Sequence, residues 1–177
     1  MNGQSGVALI ERARSAAARA DWHEAFDLLS QADADGVLSP GDLPLLGEVA
    51  YAAGHLDTTI EAWERAHAAA MEAGDQAAAG GAAVRVALHL LLDTALMAPV
   101  RGWLARAEQL LDDKEETPAH AWLAVARTYE RLLSGDPDTS KMWARRAIEG
   151  GSKHDPAAAV LVRAEVLTRW AMSLAAM

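Results

Sequence analysis

Three tryptophans recur at a fixed interval: Trp63, Trp103 and Trp143 stand 40 residues apart. Each precedes an alanine by three or four residues (Ala66, Ala107, Ala147), and Ala32 stands 34 residues before the first of these. The four alanines follow Gln31, Arg65, Arg106 and Arg146. About twelve residues upstream of each comes a turn signal: Ala20-Asp21, Gly54-His55, Ala95-Leu96 and Gly135-Asp136. A period of this length belongs to a supersecondary unit that cannot bury its apolar face alone, so neighbouring units must cover it. A small residue lets paired helices approach, and a large one fills the space beside it.

The clearest unit is Leu43 to Ala66, LPLLGEVAYAAGHLDTTIEAWERA. Leu43, Leu46, Gly47 and Ala50 fall on one helical stripe, and Ile60, Trp63, Ala66 and Ala70 on a second. Gly54-His55 breaks the helix between them. Apolar residues make up 51% of the chain but aromatics only 5%. Much of the apolar content is alanine, which suits closely packed helices better than a β-sandwich.

The punctuation predicts about nine helices and no strands. Helix 1 covers 7–20 and helix 2 covers 23–34. Helix 3 follows Asp42, and helix 4, capped by Asp57, runs to about residue 73. Helix 5 covers 76–92, with Asp75 as its cap and Gly80-Gly81 as a weak spot. Its apolar run Val84 to Leu92 reads as buried helix or strand, and its length and Ala-rich flanks favour helix. A turn over 94–98 leads to helix 6, with Pro99 in its first turn. Asp112 to Thr117 is a charged linker. Pro118 starts helix 7, Asp138 or Thr139 caps helix 8, which ends at Gly150-Gly151, and a ninth helix covers 155–177. The units are therefore about 7–36, 42–74, 76–111, 118–150 and a half unit at 155–177, forming one helical-repeat domain over 1–177.

The pattern resembles the tetratricopeptide-repeat family. Leu43, Leu46, Gly47, Gly54, Trp63 and Ala66 stand at that family's helix-packing positions. Leu9, Ala13, Ala16, Ala25, Leu29 and Ala32 match in the first unit, and Gly135, Ser140, Ala144 and Ala147 in the fourth. The third unit departs, with Ala87 or Leu88 and Val100 at positions where small residues are usual. The stretches RADWHEAFDLLSQADADG, AYAAGHLDTTIEAWERAHAAAMEAGD and VRGWLARAEQLL are similar to the sensory helical-repeat region of LuxR-type bacterial regulators, especially actinobacterial ones. The resemblance implies an all-α, right-handed superhelix of antiparallel helix hairpins. It implies a non-catalytic scaffold that binds a protein, a peptide or a small inducer, as the sensor part of a transcriptional regulator. In this family the first helix of each hairpin lines a groove, which gives Glu48, Tyr51, Arg85, His89, Arg127 and Glu130 as groove residues. These residues read equally as a network of intramolecular ion pairs. The Lys and Asn clamp of the chaperone-binding members is absent, with Pro44, Glu48, Arg85 and His89 at the matching positions.

The other chemical readings are weaker. A rival function is a small α-helical enzyme, or a small-molecule-binding protein, using a His/carboxylate pocket around His89. Arg85 and Asp93 lie four residues to either side of it. Glu64 with His67 and Glu116 with His120 have helical spacing, but a di-iron site needs two Glu-x-x-His motifs and two more carboxylates. Surface pairs are the simpler reading, and no metal or cofactor is expected. Trp22, at a turn, and Trp170, in the last helix, are candidate interface residues, with a homodimer through that helix as one outcome. The formal charge of −9 argues against direct nucleic-acid binding. There is no cysteine, so disulfides and thiolate chemistry are excluded. The N-terminal apolar run is too short for a signal peptide, and no membrane span is expected, so the cytoplasm is the expected location.

Overall fold

The computed structural model describes residues 3–94, 96–112 and 116–154. The half unit at 155–177, with Trp170 and the proposed C-terminal contact, lies outside the described residues. Among the described residues the regular elements are all helical, with no strand. The described residues hold eight α-helices, and the expected ninth lies outside them: α1 (Gly3–Ala18), α2 (Trp22–Ala34), α3 (Leu43–Ala52), α4 (Leu56–Glu72), α5 (Gln76–His89), α6 (Met97–Leu111), α7 (Pro118–Leu133) and α8 (Pro137–His154). A short 3₁₀ turn, Pro40–Asp42, leads into α3, and α5 continues into a π-helical turn, Leu90–Thr94.

Each odd-numbered helix packs most extensively on the even-numbered helix that follows it, so the elements pair as hairpins. The chain divides into two compact units, 1–73 and 74–177. In the first, Ala13, Ala16, Leu29, Leu46, Val49 and Ala62 form a core among α1 to α4, and α3 packs on α2. In the second, Val84, Leu88, Leu91, Val100, Leu104 and Val125 are buried together, and α7 packs on both α5 and α6. Gln76–Thr94 has the length and hydropathy of a membrane span, but it is the central core element of this second unit.

Three hairpins share one turn. The backbone N–H groups of Asp21, His55 and Asp136 donate to the carbonyls of Ala16, Ala50 and Arg131, at 3.0, 2.8 and 2.9 Å. The residue before each donor is left-handed: Ala20 (φ 58°), Gly54 (φ 86°) and Gly135 (φ 77°). This is the six-to-one closure that ends a helix cleanly and re-aims the chain. Among the described residues no such bond closes the third hairpin. There α5 runs on through the π turn, where Thr94 Oγ1 donates to the Leu90 carbonyl at 2.6 Å and accepts from Leu96 N–H at 3.2 Å. The third unit's departure from the sequence pattern is thus matched by a different turn.

Close approach explains two further glycines. A Cβ on Gly47 would stand 2.6 Å from Trp63 Nε1, so the α4 indole sits directly on the α3 backbone. A Cβ on Gly80 would stand 2.7 Å from Leu111 Cγ. Gly80 is therefore the seat for the end of α6 and not merely a weak spot in α5.

Three helix ends differ from expectation. The carboxylate at the start of α8 is Asp136, whose Oδ1 accepts from Thr139 N–H at 3.2 Å, and not Asp138 or Thr139. Asp57 lies inside the first turn of α4. His55 holds the cap position instead, its ring stacked on Phe26 at 3.8 Å. Finally, α8 continues through Gly150-Gly151 to His154, because Gly150 packs against Ala121 of α7 and Ser152 Oγ donates back to the Ile148 carbonyl at 2.7 Å.

Candidate functional site

The second unit holds a cleft of about 620 Å³ between the end of α6, the start of α7 and the middle and end of α8. The local sequence sets its floor. Thr117 precedes Pro118 and is extended (φ −126°, ψ 168°), the conformation a following proline favours. His120 then lies one turn into α7. Its Nδ1 accepts from Thr117 N–H at 3.0 Å. A backbone N–H can only donate, so the proton of a neutral ring sits on Nε2, which donates to the Leu111 carbonyl at 3.0 Å. His120 thus ties the end of α6 to the start of α7. Both ring nitrogens are engaged, which leaves it poorly placed for acid–base work in the cleft.

The walls carry charges of both signs. Glu108 and Asp112 come from the end of α6, Glu116 from the segment before α7, and Arg146, Glu149 and Lys153 from α8. Glu108 is gripped from behind by Arg127: Nε to Oε1 and Nη2 to Oε2 are both 2.6 Å. Lys153 Nζ pairs with Glu116 Oε2 at 3.3 Å. The Arg146 guanidinium lies over the Trp143 ring, 5.0 Å from its centroid. Asp112, Glu149 and Arg146 form no ion pair with the other described residues. Leu111, Leu123, Ala124 and Trp143 supply the apolar lining.

Behind the cleft lies a buried charge cluster. Glu130 is 1% exposed. It accepts from Arg101 Nε at 2.9 Å and faces Arg131 Nε at 3.3 Å and Arg127 Nη1 at 3.5 Å. Burial pushes its carboxyl up. The Arg101 hydrogen bond, the charges of Arg131 and Arg127 and the Ser134 hydroxyl outweigh that, and the result lies below the ordinary glutamate value. The first unit holds its own ion pairs. Arg65 grips Asp33 through two 2.7 Å bonds, which hold the aspartate carboxyl below its usual range. Arg14 reaches Asp42 at 2.7 Å, and Asp42 also accepts from the Ser39 hydroxyl and backbone.

None of the six groove residues expected from sequence lines this cleft. Glu48 and Tyr51, both exposed, belong to the first unit. The other four belong to the second. Arg85 lies over Trp122 of α7, 4.8 Å from the ring centroid. His89 is buried, with Nδ1 4.0 Å from Asp93 Oδ2 on its own helix. Burial lowers the His89 pKa, Asp93 raises it and Arg85 lowers it, with a net downward shift. Arg127 and Glu130 are brought together, but within the buried cluster. Trp22 is the first residue of α2, at 36% exposure. Among the described residues no group of three or more His, Asp and Glu side chains is placed to hold a metal. No protein-family model, curated protein or solved structure matches the chain.

The cleft residues carried two sequence signals. Trp143 and Arg146 occupy the same repeat positions as Trp103 and Arg106, where Arg106 likewise covers its tryptophan at 4.7 Å. Thr117-Pro118 followed by His120 spells a helix start closed by a side chain three residues on, a variant of the capping box with histidine in place of glutamate.

Proposed function

We propose that this chain is a non-catalytic binding module of tetratricopeptide-like hairpins, and that it takes a short peptide or a small zwitterionic molecule in the cleft between α6, α7 and α8. The cleft carries the reading. Its volume is in the range of ligand pockets, and apolar side chains line it beside charges of both signs. Asp112 and Glu149 suit an ammonium group, Arg146 a carboxylate, and Leu123 with Trp143 an apolar body. Arg127 and Glu130 act from behind by fixing Glu108. The resemblance of the sequence to sensory repeats of LuxR-type regulators supports a sensor role in transcription, with the ligand as inducer. The rival catalytic reading around His89 has less support, because His89 is buried and does not line the cleft.

Native mass spectrometry of the full chain with a panel of amino acids and short peptides tests the proposal. Gly150→Leu fills the cleft: Gly150 lines it, and a Cβ there meets Ala121 at an ordinary 3.5 Å. The expected result is a saturable adduct on the wild type that Gly150→Leu loses. Equal adducts on both proteins would remove the cleft from the account.

A further inference from the structure

Glu108, in the cleft wall, is the end of a chain of charges that begins in the core. Its side chain is 37% exposed and lines the cleft. Arg127, on α7, is 10% exposed and does not line it. The Arg127 guanidinium gives one hydrogen bond to each Glu108 oxygen, both 2.6 Å long. Such a fork fixes the plane of the carboxylate, where a single bond would leave it free to turn. On its other side the same guanidinium faces Glu130, with Nη1 3.5 Å from Oε2. That oxygen is buried and accepts no hydrogen bond, although Arg131 Nε lies 3.3 Å away. The other oxygen, Oε1, accepts from Arg101 and Ser134. Charge therefore draws Arg127 back toward Glu130 while its fork grips Glu108.

We propose that Glu108 is the specificity-determining acceptor of the cleft, that it reads a backbone N–H of a bound peptide, and that Arg127 and Glu130 are its positioning residues. The proposal rests on the cleft as the binding site and narrows the occupant from any zwitterion to a peptide. A carboxylate accepts up to about four hydrogen bonds, and Arg127 takes two of these places. Among the described residues no other group donates to Glu108, so the remaining places are open to a ligand. Arg127 offsets the charge of Glu108, which suits it to a directional, neutral donor. Asp112 and Glu149, with no cation paired to them among the described residues, suit the free ammonium. A peptide carries both kinds of donor, and a single amino acid lacks the backbone N–H.

Isothermal titration of the full chain tests this with trileucine and with the two analogues in which an ester oxygen replaces one amide N–H. One analogue is expected to bind about tenfold more weakly than trileucine. Glu108→Ala is expected to weaken trileucine about tenfold and to bind that analogue and trileucine equally. Glu130→Gln, a change outside the cleft, is expected to weaken trileucine about threefold. The double variant is expected to bind as Glu108→Ala does, because Glu130 acts through Glu108. Asp112→Asn and Glu130→Gln are expected to combine multiplicatively. The Glu130→Gln effect is expected to persist at high salt, where a through-space charge effect fades. Arg127→Lys keeps the charge without the fork, and takes the place of Glu130→Gln in the same cycle if that variant does not fold, with the same pattern expected. Equal affinity of the wild type for all three ligands would overturn the proposal and leave the cleft as the binding site. Multiplicative combination of Glu108→Ala with Glu130→Gln, or with Arg127→Lys, would do the same. Absence of trileucine binding would overturn it too, and absence of any adduct across the peptide panel would remove the cleft reading with it.

Discussion

The positions with most leverage are those where one atom decides the packing. Gly47→Ala would force its new methyl into the Trp63 indole, with Nε1 at 2.6 Å. Trp63 is 6% exposed and has little room to yield. We expect a loss of about 1–3 kcal/mol by urea denaturation, although alanine is the better helix former. The left-handed turn residues give the opposite contrast. Ala20 occupies the position that glycine holds in two other hairpins, so Ala20→Gly should gain about 0.5–1 kcal/mol, and Gly54→Ala should lose about as much. Glu130→Gln should cost about 2 kcal/mol, because it leaves Arg101 and Arg131 without their buried counter-charge. It should also change the acid limb of stability. A carboxyl held below its ordinary value contributes fully above that value, near 4.5, and the contribution is lost as pH falls through the folded value. The wild type should lose stability across that window, and Glu130→Gln should lose less.

At the scale of elements, much was legible. The Gly54 and Gly135 breaks, the Asp75 cap and the Pro118 start all fall where the sequence puts them, because each rests on local chemistry. What was not legible depended on contact across elements. Asp57 looks like a cap by type, but stacking on Phe26 places His55 in that position. Gly150-Gly151 looks like a stop, but packing against Ala121 carries α8 through it. Val84 to Leu92 was ambiguous between helix and strand, and it is helix as far as His89, beyond which the ladder slips to the wider π turn. No local signal announces such a slip. The same holds for the candidate site. Asp112 reads as part of a charged linker, and nothing local marks Glu108 or Glu149; only the packing of α6 and α8 on α7 brings the three to one cleft. Arg127 and Glu130 read equally as groove residues or as members of an ion-pair network, and their partners on α6 decide for the network.

At the scale of the whole molecule, the described residues of the two compact units hold two hairpins each, and the binding reading rests on the second unit. The charge balance there is structural as well as functional. Arg127 serves Glu108 at the cleft and Glu130 behind it, so Arg127→Met should loosen both, lowering stability and ligand affinity together. Asp112→Asn, at an exposed side chain, should weaken binding with stability within about 0.5 kcal/mol of the wild type. Isothermal titration beside thermal unfolding separates the two outcomes. The most direct test of where this protein binds uses its six tryptophans as reporters. Indole ¹⁵N–¹H spectra, with Trp143 assigned by Trp143→Phe, should show its signal moving on titration with the peptide that gives the mass adduct, while Trp22 and Trp63 stay still. Movement at Trp22 or Trp63 with Trp143 unchanged would contradict a ligand site in the cleft between α6, α7 and α8.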